Sequence, residues 1–393
     1  MRFMLAAYAH CDQGKIDEVF YEQSIDYRDL ESALRCMDND AVANITPNIL
    51  GKKPNTYTLT KALAEDVISR ESENLPVCIV RPSMVIPAWK EPMPGWCTNM
   101  YGPTAFLVAY AKGALRSVIA DEEIVADLIP VDLVINAVIC ALMKTAIDVS
   151  RSNRFAIGDD PKSVDVDFLE ESSEATDGTL VTVRPRIPIY NVTTGNVNPL
   201  YIHKFVKLCQ RWYHHYPLDP LRLPEVTVTS NKFLHKASLV LRQTIPAYLY
   251  DVTLMLRRHQ GIKMSDLNEK LIAGMEVMEF FFTNQFRWGE DNARNLLKSI
   301  SPVDQKVFNF DPRSFAWEEH IKHYVIGTRK YLVKESMDDY PRARKSVERL
   351  RILNRSVDSV TAVFLLGLFT ASGATGYAVD AISYISGYVA GLL

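Results

Sequence analysis

Apolar runs and helical patterns alternate along the first half of the chain. Residues 1–10 predict a strand, and residues 75–80 predict a second, buried strand. Between them the pattern predicts a helix that Asn55 or Thr56 can cap. The apolar stripe of that helix consists of Leu59, Leu63, Val67 and Ile68. The order strand, helix, strand indicates a parallel sheet with a crossover helix.

The pattern continues with a helix over 104–116, a strand over 126–129, a helix over 133–145 and a strand over 187–192. The acidic stretch 159–178 is expected to be an exposed insertion. We therefore predict an α/β fold in which a partial doubly wound, Rossmann-like parallel sheet precedes an α-helical C-terminal domain and a C-terminal apolar segment.

The second half of the chain shows helical periodicity and few turn signals, over residues 239–256, 267–282, 293–297 and 320–333. The stretch 238–256 carries only Arg242 and Asp251 as charges. We expect it to pack in the core as a buried helix pair, with a patch that touches lipid or an acyl chain as the alternative.

A 21-residue run without charge, Ser359 to Val379, is long enough to cross a bilayer as a helix of about 30 Å. The basic residues before it, expected on the cytoplasmic side, are Arg342, Arg344, Lys345, Arg349, Arg351 and Arg355. Glycines in the segment and Asp380 favour the alternative, an apolar helix packed on the domain. We predict a membrane anchor.

These patterns divide the chain into four parts. Residues 1–235 are predicted to form a partial Rossmann-like domain with the acidic insertion 159–178, and residues 236–336 a helical domain. A basic linker, 337–358, leads to the predicted anchor, 359–393.

Composition excludes several classes of protein. The 393 residues include 44 basic and 47 acidic side chains, so a basic nucleic-acid binder is not expected. The six cysteines form no CxxC pair and are interpreted as buried thiols in a reducing compartment. His320 and His323 lack acidic or cysteine partners at ligand spacing, so we expect them to be exposed or capping, and we predict no metal site.

Tyr57 and Lys61 stand four apart on the predicted crossover helix, which places both side chains on one face. A nearby cation favours a phenolate, so we expect Lys61 to lower the pKa of Tyr57. Such a pair can protonate a carbonyl oxygen as hydride reaches its carbon, while the lysine binds a nicotinamide ribose. About twenty residues later a strand ends in Arg81, Pro82 and Ser83, where a parallel sheet binds its ligands.

Several long motifs in the same order resemble the alcohol-forming fatty acyl-CoA reductases, extended short-chain dehydrogenase/reductases with a C-terminal helical "sterile" domain. The resemblance covers about residues 7–336. Its motifs are PNTYTLTKALAE, VCIVRPSMVIPAWKEPMPGW, ADLIPVDLVINAVI, YNVTTGNVNP and GTRKYLVKES.

The resemblance implies reduction of a long-chain fatty acyl-CoA by two equivalents of NADPH, through an aldehyde, to a primary fatty alcohol. It implies that Tyr57 donates the proton and that Lys61 lowers its pKa and binds the ribose. Arg81, Pro82 and Ser83 would line the nicotinamide pocket by backbone and shape more than by charge. It further implies a peroxisomal or endoplasmic-reticulum membrane, with the catalytic domain facing the cytosol.

Two departures from the family pattern leave an alternative open. No GxxGxxG turn is present, so the chain is expected to lack the first half of the nucleotide-binding fold. Leu5 and Ala6 stand where the family carries hydroxyl residues, in a pattern like VSTAYAH. The alternative is a catalytically degenerate, membrane-bound protein that binds acyl-CoA or lipid. A sterol or sugar-nucleotide reductase is a third possibility, against which the long helical region argues.

Overall fold

The computed structural model describes residues 2–72, 75–155, 169–170, 184–185, 187–256 and 263–354. The strands are β1 (Arg2–Met4), β2 (Lys15–Ile16), β3 (Cys78–Pro82), β4 (Met84–Ile86), β5 (Ser117–Ile119), β6 (Leu128–Pro130), β7 (Leu169–Glu170), β8 (Arg184–Pro185), β9 (Ile189–Val192), β10 (Thr227–Thr229) and β11 (Arg287–Trp288). Most of the acidic stretch 159–178 and the whole predicted anchor lie outside the described residues.

Helices make up most of the remaining described residues. They are α1 (Tyr27–Cys36), α2 (Asn39–Leu50), α3 (Thr56–Glu71), α4 (Pro103–Ala111), α5 (Val131–Phe155), α6 (Ile202–His215), α7 (Lys232–Ser238), α8 (Ile245–Leu256), α9 (Met264–Thr283), α10 (Asp291–Ser299), α11 (Pro302–Val307) and α12 (Trp317–Gly327). Residues 340–354 are also helical.

A three-stranded parallel sheet of order β1-β3-β9 organises the first part of the molecule. Phe3 pairs with Ile79, and Ile79 pairs with Ile189. A single residue, Ser83, separates β4 from β3, and β4 pairs in parallel with β6. The α/β class and the parallel, Rossmann-like arrangement are confirmed.

The crossover helix α3 forms as its sequence predicts. The Asn55 side chain accepts a hydrogen bond from the Thr58 backbone N–H at 3.0 Å, which caps the helix. Leu59, Leu63 and Ile68 are buried on the inner face. This packing fixes which face of α3 turns away from the sheet.

The helix predicted over 104–116 is shorter than expected. α4 ends at Ala111, and Gly113 follows with a φ of +70°. A Cβ at Gly113 would lie 2.1 Å from the Arg222 backbone oxygen, so the chain can turn here only with glycine. The turn frees Ser117–Ile119 to pair with β10 in a further parallel sheet that the sequence did not predict.

The largest hydrophobic core draws on both halves of the chain. Leu128 and Ile129 from the first half pack in one cluster with Leu296, Ile321 and Tyr324 from the second. β2 also pairs with β11, and β5 with β10. The helical region therefore packs directly on the sheet-bearing region, and a division at 235 remains a prediction.

The expectation that 238–256 packs in the core is wrong. Only Gln243 and Ala247 are buried there, whereas Leu241 is 65% and Leu249 61% exposed. The physical reason lies on the inner face of this segment, where the side-chain amide oxygen of Gln243 accepts a hydrogen bond from the Arg116 backbone N–H at 3.0 Å. Polar hydrogen bonds hold this segment, so its apolar side chains turn outward.

Two further expectations are corrected. His320 is fully buried, because it packs against the rings of Phe315 and Trp317. Cys36 is exposed at the end of α1, whereas the other five cysteines are buried.

Among the described helices, α5 alone contains a stretch, Val131–Ser150, that is long and apolar enough to cross a membrane. Leu133, Val134 and Ala137 of this stretch are buried against the protein core. Length and composition alone are therefore weak evidence for a membrane span here.

Candidate active site

Tyr57 and Lys61 occupy one face of α3 near its N-terminus. The Lys61 ammonium lies 5.8 Å from the centroid of the Tyr57 ring, and Tyr57 is 55% exposed. Within the described parts of the chain, no carboxylate pairs with Lys61. The phenol and the ammonium are thus both free to contact a ligand.

The electrostatics at Tyr57 differ from the expectation. Partial burial raises the pKa of the Tyr57 phenol, and the expected lowering by Lys61 is not seen. The phenol therefore keeps its proton at neutral pH, which is the form that a proton donor requires.

Arg81, in contrast, is a structural side chain. It is fully buried, and its Nε donates to Glu65 Oε1 at 2.8 Å. Its Nη1 and Nη2 also donate to the backbone oxygens of Asp17 and Val19. The ion pair between the Arg81 guanidinium and Glu65 of α3 therefore links the end of β3 to the helix that carries Tyr57.

His10 completes this buried cluster, with its Nε2 2.8 Å from Glu65 Oε2. Although burial raises the pKa of the Glu65 carboxyl, the bonds from His10 and Arg81 bring it below its ordinary value. Glu65 stands one helical turn after Lys61, so the cluster fixes the rotation of the face that presents Tyr57 and Lys61.

The turn after β1 lies against the N-terminal part of α3. Leu5 and Ala6 are buried at this edge, and the 3₁₀ turn Ala7–His10 follows. The Tyr8 ring packs edge-on at 5.0 Å from Phe281 and 5.2 Å from Trp288. The helical region thereby covers the turn at the carboxyl end of β1.

The carboxyl ends of β3 and β9 meet at Asp127. This buried carboxylate accepts from the backbone N–H groups of Thr194 at 2.9 Å and Gly195 at 3.0 Å. Burial raises the pKa of Asp127, and the hydrogen bonds from Thr194 and Gly195 oppose that rise. The backbone N–H of Ser83 donates to Val192, so Pro82 and Ser83 are held at this edge.

An apolar cavity lies between α4, α6 and the β5–β10 sheet. Ala126 and Leu128, on either side of Asp127 in sequence, line it, and Phe282 does so next to Phe281. Its other lining residues include Phe106, Leu107, Tyr110, Leu115, Phe205, Val206 and Val228.

The sequence identified Tyr57 and Lys61 but missed Glu65, His10 and Asp127. One signal was available, since Glu65 continues the i, i+4 spacing of Tyr57 and Lys61 on the same helix. Asp127 stands as a lone carboxylate inside an apolar strand pattern, which is a weaker signal.

Comparison with known proteins decides the family. Residues 2–138 match an NAD-binding family model and residues 242–335 a "Sterile" model, both described as male sterility protein. Fatty acyl-CoA reductase 1 of Xenopus laevis is 36% identical over 366 residues, which cover 93% of this chain and 64% of that protein. The chain belongs to the fatty acyl-CoA reductase family.

Other members of the family agree. Human fatty acyl-CoA reductase 1 is 34% identical over 93% of this chain, and human fatty acyl-CoA reductase 2 is 35% identical over 92%. The matches cover 64% and 63% of those two proteins, so the chain spans just under two thirds of their length.

Likeness to solved structures is low. The terminal R domain of the myxalamid PKS-NRPS pathway has a TM-score of 0.41 and 12% identity, over 84% of this chain and 58% of that one. A resemblance at this level carries no argument about function.

Proposed function

We propose that this chain reduces long-chain fatty acyl-CoA to a primary fatty alcohol, with NADPH as the reductant. The observation that carries the proposal is the free face of Tyr57 and Lys61 on a crossover helix beside the carboxyl edge of a parallel sheet. Membership of the fatty acyl-CoA reductase family supports the substrate class.

Tyr57 is proposed to donate its phenolic proton to the substrate carbonyl oxygen, and Lys61 to bind the ribose hydroxyls of the nucleotide. NADPH, when bound, would supply one hydride to the thioester carbon, with release of CoA as the thiol, and a second NADPH molecule bound in its place would supply the hydride to the aldehyde. Each reduction consumes one proton. Pro82 and Ser83 are proposed to line the nicotinamide pocket, while Arg81 acts only by holding Glu65 and α3 in place.

The apolar cavity supports a long acyl chain as the substrate. A hydrocarbon chain gains roughly 0.8 kcal/mol for each methylene that leaves water. The aromatic and aliphatic side chains that line the cavity offer a hydrocarbon chain apolar contacts that a polar substrate could not use.

The proposed location is a peroxisomal or endoplasmic-reticulum membrane, with the catalytic part facing the cytosol. The uncharged run 359–379 and the preceding basic residues support this proposal by sequence. Arg342 and Arg344 lie on the described helix 340–354 that leads toward that run.

Replacement of Tyr57 tests the reaction. Tyr57→Phe keeps the ring but removes the proton donor, so the rate of palmitoyl-CoA-dependent NADPH oxidation should fall by about 10²-fold or more. Tyr201→Phe is the matched control, because Tyr201 is a half-exposed tyrosine stacked on His203. Equal rates for wild type and Tyr57→Phe would overturn the assigned role.

The second candidate function is binding of acyl-CoA or lipid without catalysis. It is favoured by the buried, apolar Leu5 and Ala6 at the edge where the family carries hydroxyl groups. Retained palmitoyl-CoA binding by folded protein that neither binds NADPH nor makes alcohol would establish this alternative.

A further inference from the structure

The segment Lys232–Leu256 has its apolar side chains on the outside. Eleven large apolar or aromatic side chains between positions 233 and 256 are each at least 44% exposed. These are a third of the 33 exposed side chains of this kind among the described residues, concentrated in 24 positions. We call them the apolar patch; Phe233, Leu241, Leu249, Met255 and Leu256 are its most exposed members, at 61–79%.

The inner face of the same segment carries buried polar side chains beside Ala247 and Leu239. His235 Nδ1 lies 2.9 Å from the Ser117 hydroxyl, and the Gln243 side chain bonds both the Arg116 backbone and the Asn268 side chain. These buried hydrogen bonds fix the orientation of the segment. Most of its large apolar side chains therefore face outward, whereas an ordinary surface helix buries its apolar face.

Such an arrangement is unfavourable in water. Each large apolar side chain gains roughly 1.5–3 kcal/mol when it is fully removed from water. Contiguous apolar surface on this scale marks a contact with another apolar phase. The contact must suit aromatic as well as aliphatic side chains, since Phe233, Tyr248 and Tyr250 belong to the patch.

The charged side chains of the segment indicate which apolar phase it contacts. The segment carries three cations, Lys232, Lys236 and Arg242, and one carboxylate, Asp251. Lys232 lies 3.3 Å from Glu279 and Arg242 lies 3.6 Å from Glu225. Both are exposed ion pairs, which contribute little and with which anionic headgroups can compete. The Asp251 carboxylate is engaged at the start of α9, where it accepts from the Met264 and Ser265 backbone N–H groups at 2.7 and 2.9 Å. Exposed apolar and aromatic side chains beside cations match the layer of an anionic bilayer where headgroups meet acyl chains.

We propose that Lys232–Leu256 lies in the interfacial layer of an anionic membrane, with the apolar patch among the acyl chains and the three cations at the headgroups. This contact is distinct from the predicted anchor at 359–393 and does not depend on catalysis. It brings the sheet-bearing part of the molecule to the membrane surface, because Gln243 and His235 are bonded to Arg116 and Ser117 next to β5.

A fluorescent label reports on the patch itself. In the full chain with Cys36→Ser, which removes the exposed native thiol, Leu249→Cys is labelled with the polarity-sensitive fluorophore NBD. Vesicles of about three parts phosphatidylcholine to one part phosphatidylserine should shift its emission to the blue and expose it to quenching by a nitroxide-labelled lipid. The control is Val303→Cys on α11, where a 72% exposed side chain should stay in water.

A variant that places three carboxylates in the apolar patch tests how much the patch contributes to membrane binding. Leu241→Glu with Leu249→Glu and Met255→Glu should weaken partition into these vesicles by about tenfold or more, since each carboxylate is costly among acyl chains. Val303→Glu with Val307→Glu is the matched control on another exposed face. Circular dichroism verifies that both variants are folded.

Three outcomes would overturn the proposal. In the first, the label at position 249 remains in water although the protein sediments with vesicles, which would show that residues 359–393 alone bind the membrane. A blue shift without vesicles that grows with protein concentration would show that a second copy covers the patch. A blue shift without vesicles at every dilution would show that the chain's own apolar segment, residues 359–393, covers the patch.

Discussion

Three buried ionisable side chains, His10, Glu65 and Arg81, form a cluster one helical turn beyond Lys61 on α3. Each is at most 2% exposed, so any unpaired charge among them would be costly. Sequence patterns show which positions are apolar, but they do not show that a charged residue on a helix and another at a strand end meet in the core. Such a pairing depends on tertiary packing.

Removal of the Glu65 charge should be strongly destabilising. Glu65→Gln leaves the Arg81 guanidinium buried without its carboxylate, and the free energy of unfolding should fall by about 3–5 kcal/mol. Glu31→Gln is the control, because Glu31 and Arg35 form an exposed pair on α1 worth less than about 1 kcal/mol. Similar losses in urea unfolding for the two variants would contradict the structural role of the cluster.

His320 makes stability depend on pH. Burial lowers the pKa of this imidazole to about 4, and the charge of Asp132 only partly opposes that shift. The unfolded chain takes up a proton near pH 6.5 and the folded chain near pH 4, so the native state loses stability as pH falls between these values. The loss from this residue alone should approach about 3 kcal/mol at pH 4.

His320→Leu should remove this dependence. Neither ring nitrogen of His320 has a hydrogen-bond partner among the described residues, so leucine sacrifices no bond. In urea unfolding at pH 7, 6 and 5, the stability of the variant relative to wild type should rise as pH falls. His214→Leu, on the exposed face of α6, should show no such trend. The same trend in both variants would show that the effect does not come from burial.

At the scale of elements, periodicity and capping predicted α3, β3, β6, β9, α9 and α10 near their observed positions, because each carries a local signal. β5 and β10 were missed, since each has three residues and exists only because Gly113 turns the chain and the two strands pair. The segment 238–256 misled the prediction because apolar content alone does not reveal which face turns inward.

Two glycines in helices illustrate the effect of packing on element stability. A Cβ at Gly274 of α9 would meet nothing within 4 Å, so Gly274→Ala should stabilise the protein by about 0.5–1 kcal/mol. A Cβ at Gly327 of α12 would lie 1.8 Å from the Gly95 backbone oxygen, so Gly327→Ala should destabilise it by about 1–3 kcal/mol. Thermal unfolding of both variants checks the opposite signs, and a shift of the same sign would contradict this packing of α12 against Gly95.

At the scale of the whole molecule, one continuous core joins the sheet-bearing and helical parts. Phe281 and Trp288 pack on Tyr8 beside the candidate site, and neighbouring Phe282 lines the apolar cavity. The helical part thus contributes to both the cover of the site and the proposed acyl pocket. Sequence patterns do not show these contacts, because only tertiary packing brings the side chains together.

Hydride transfer to an acyl thioester is the central claim, and an isotope measurement tests it most directly. The purified full chain is incubated with palmitoyl-CoA and NADPH that carries deuterium at both C4 positions of the nicotinamide, and the alcohol is analysed by mass spectrometry. The account predicts hexadecanol with two deuterium atoms at C1, because both hydrides come from the nucleotide. Folded protein that yields no deuterated hexadecanol would contradict it.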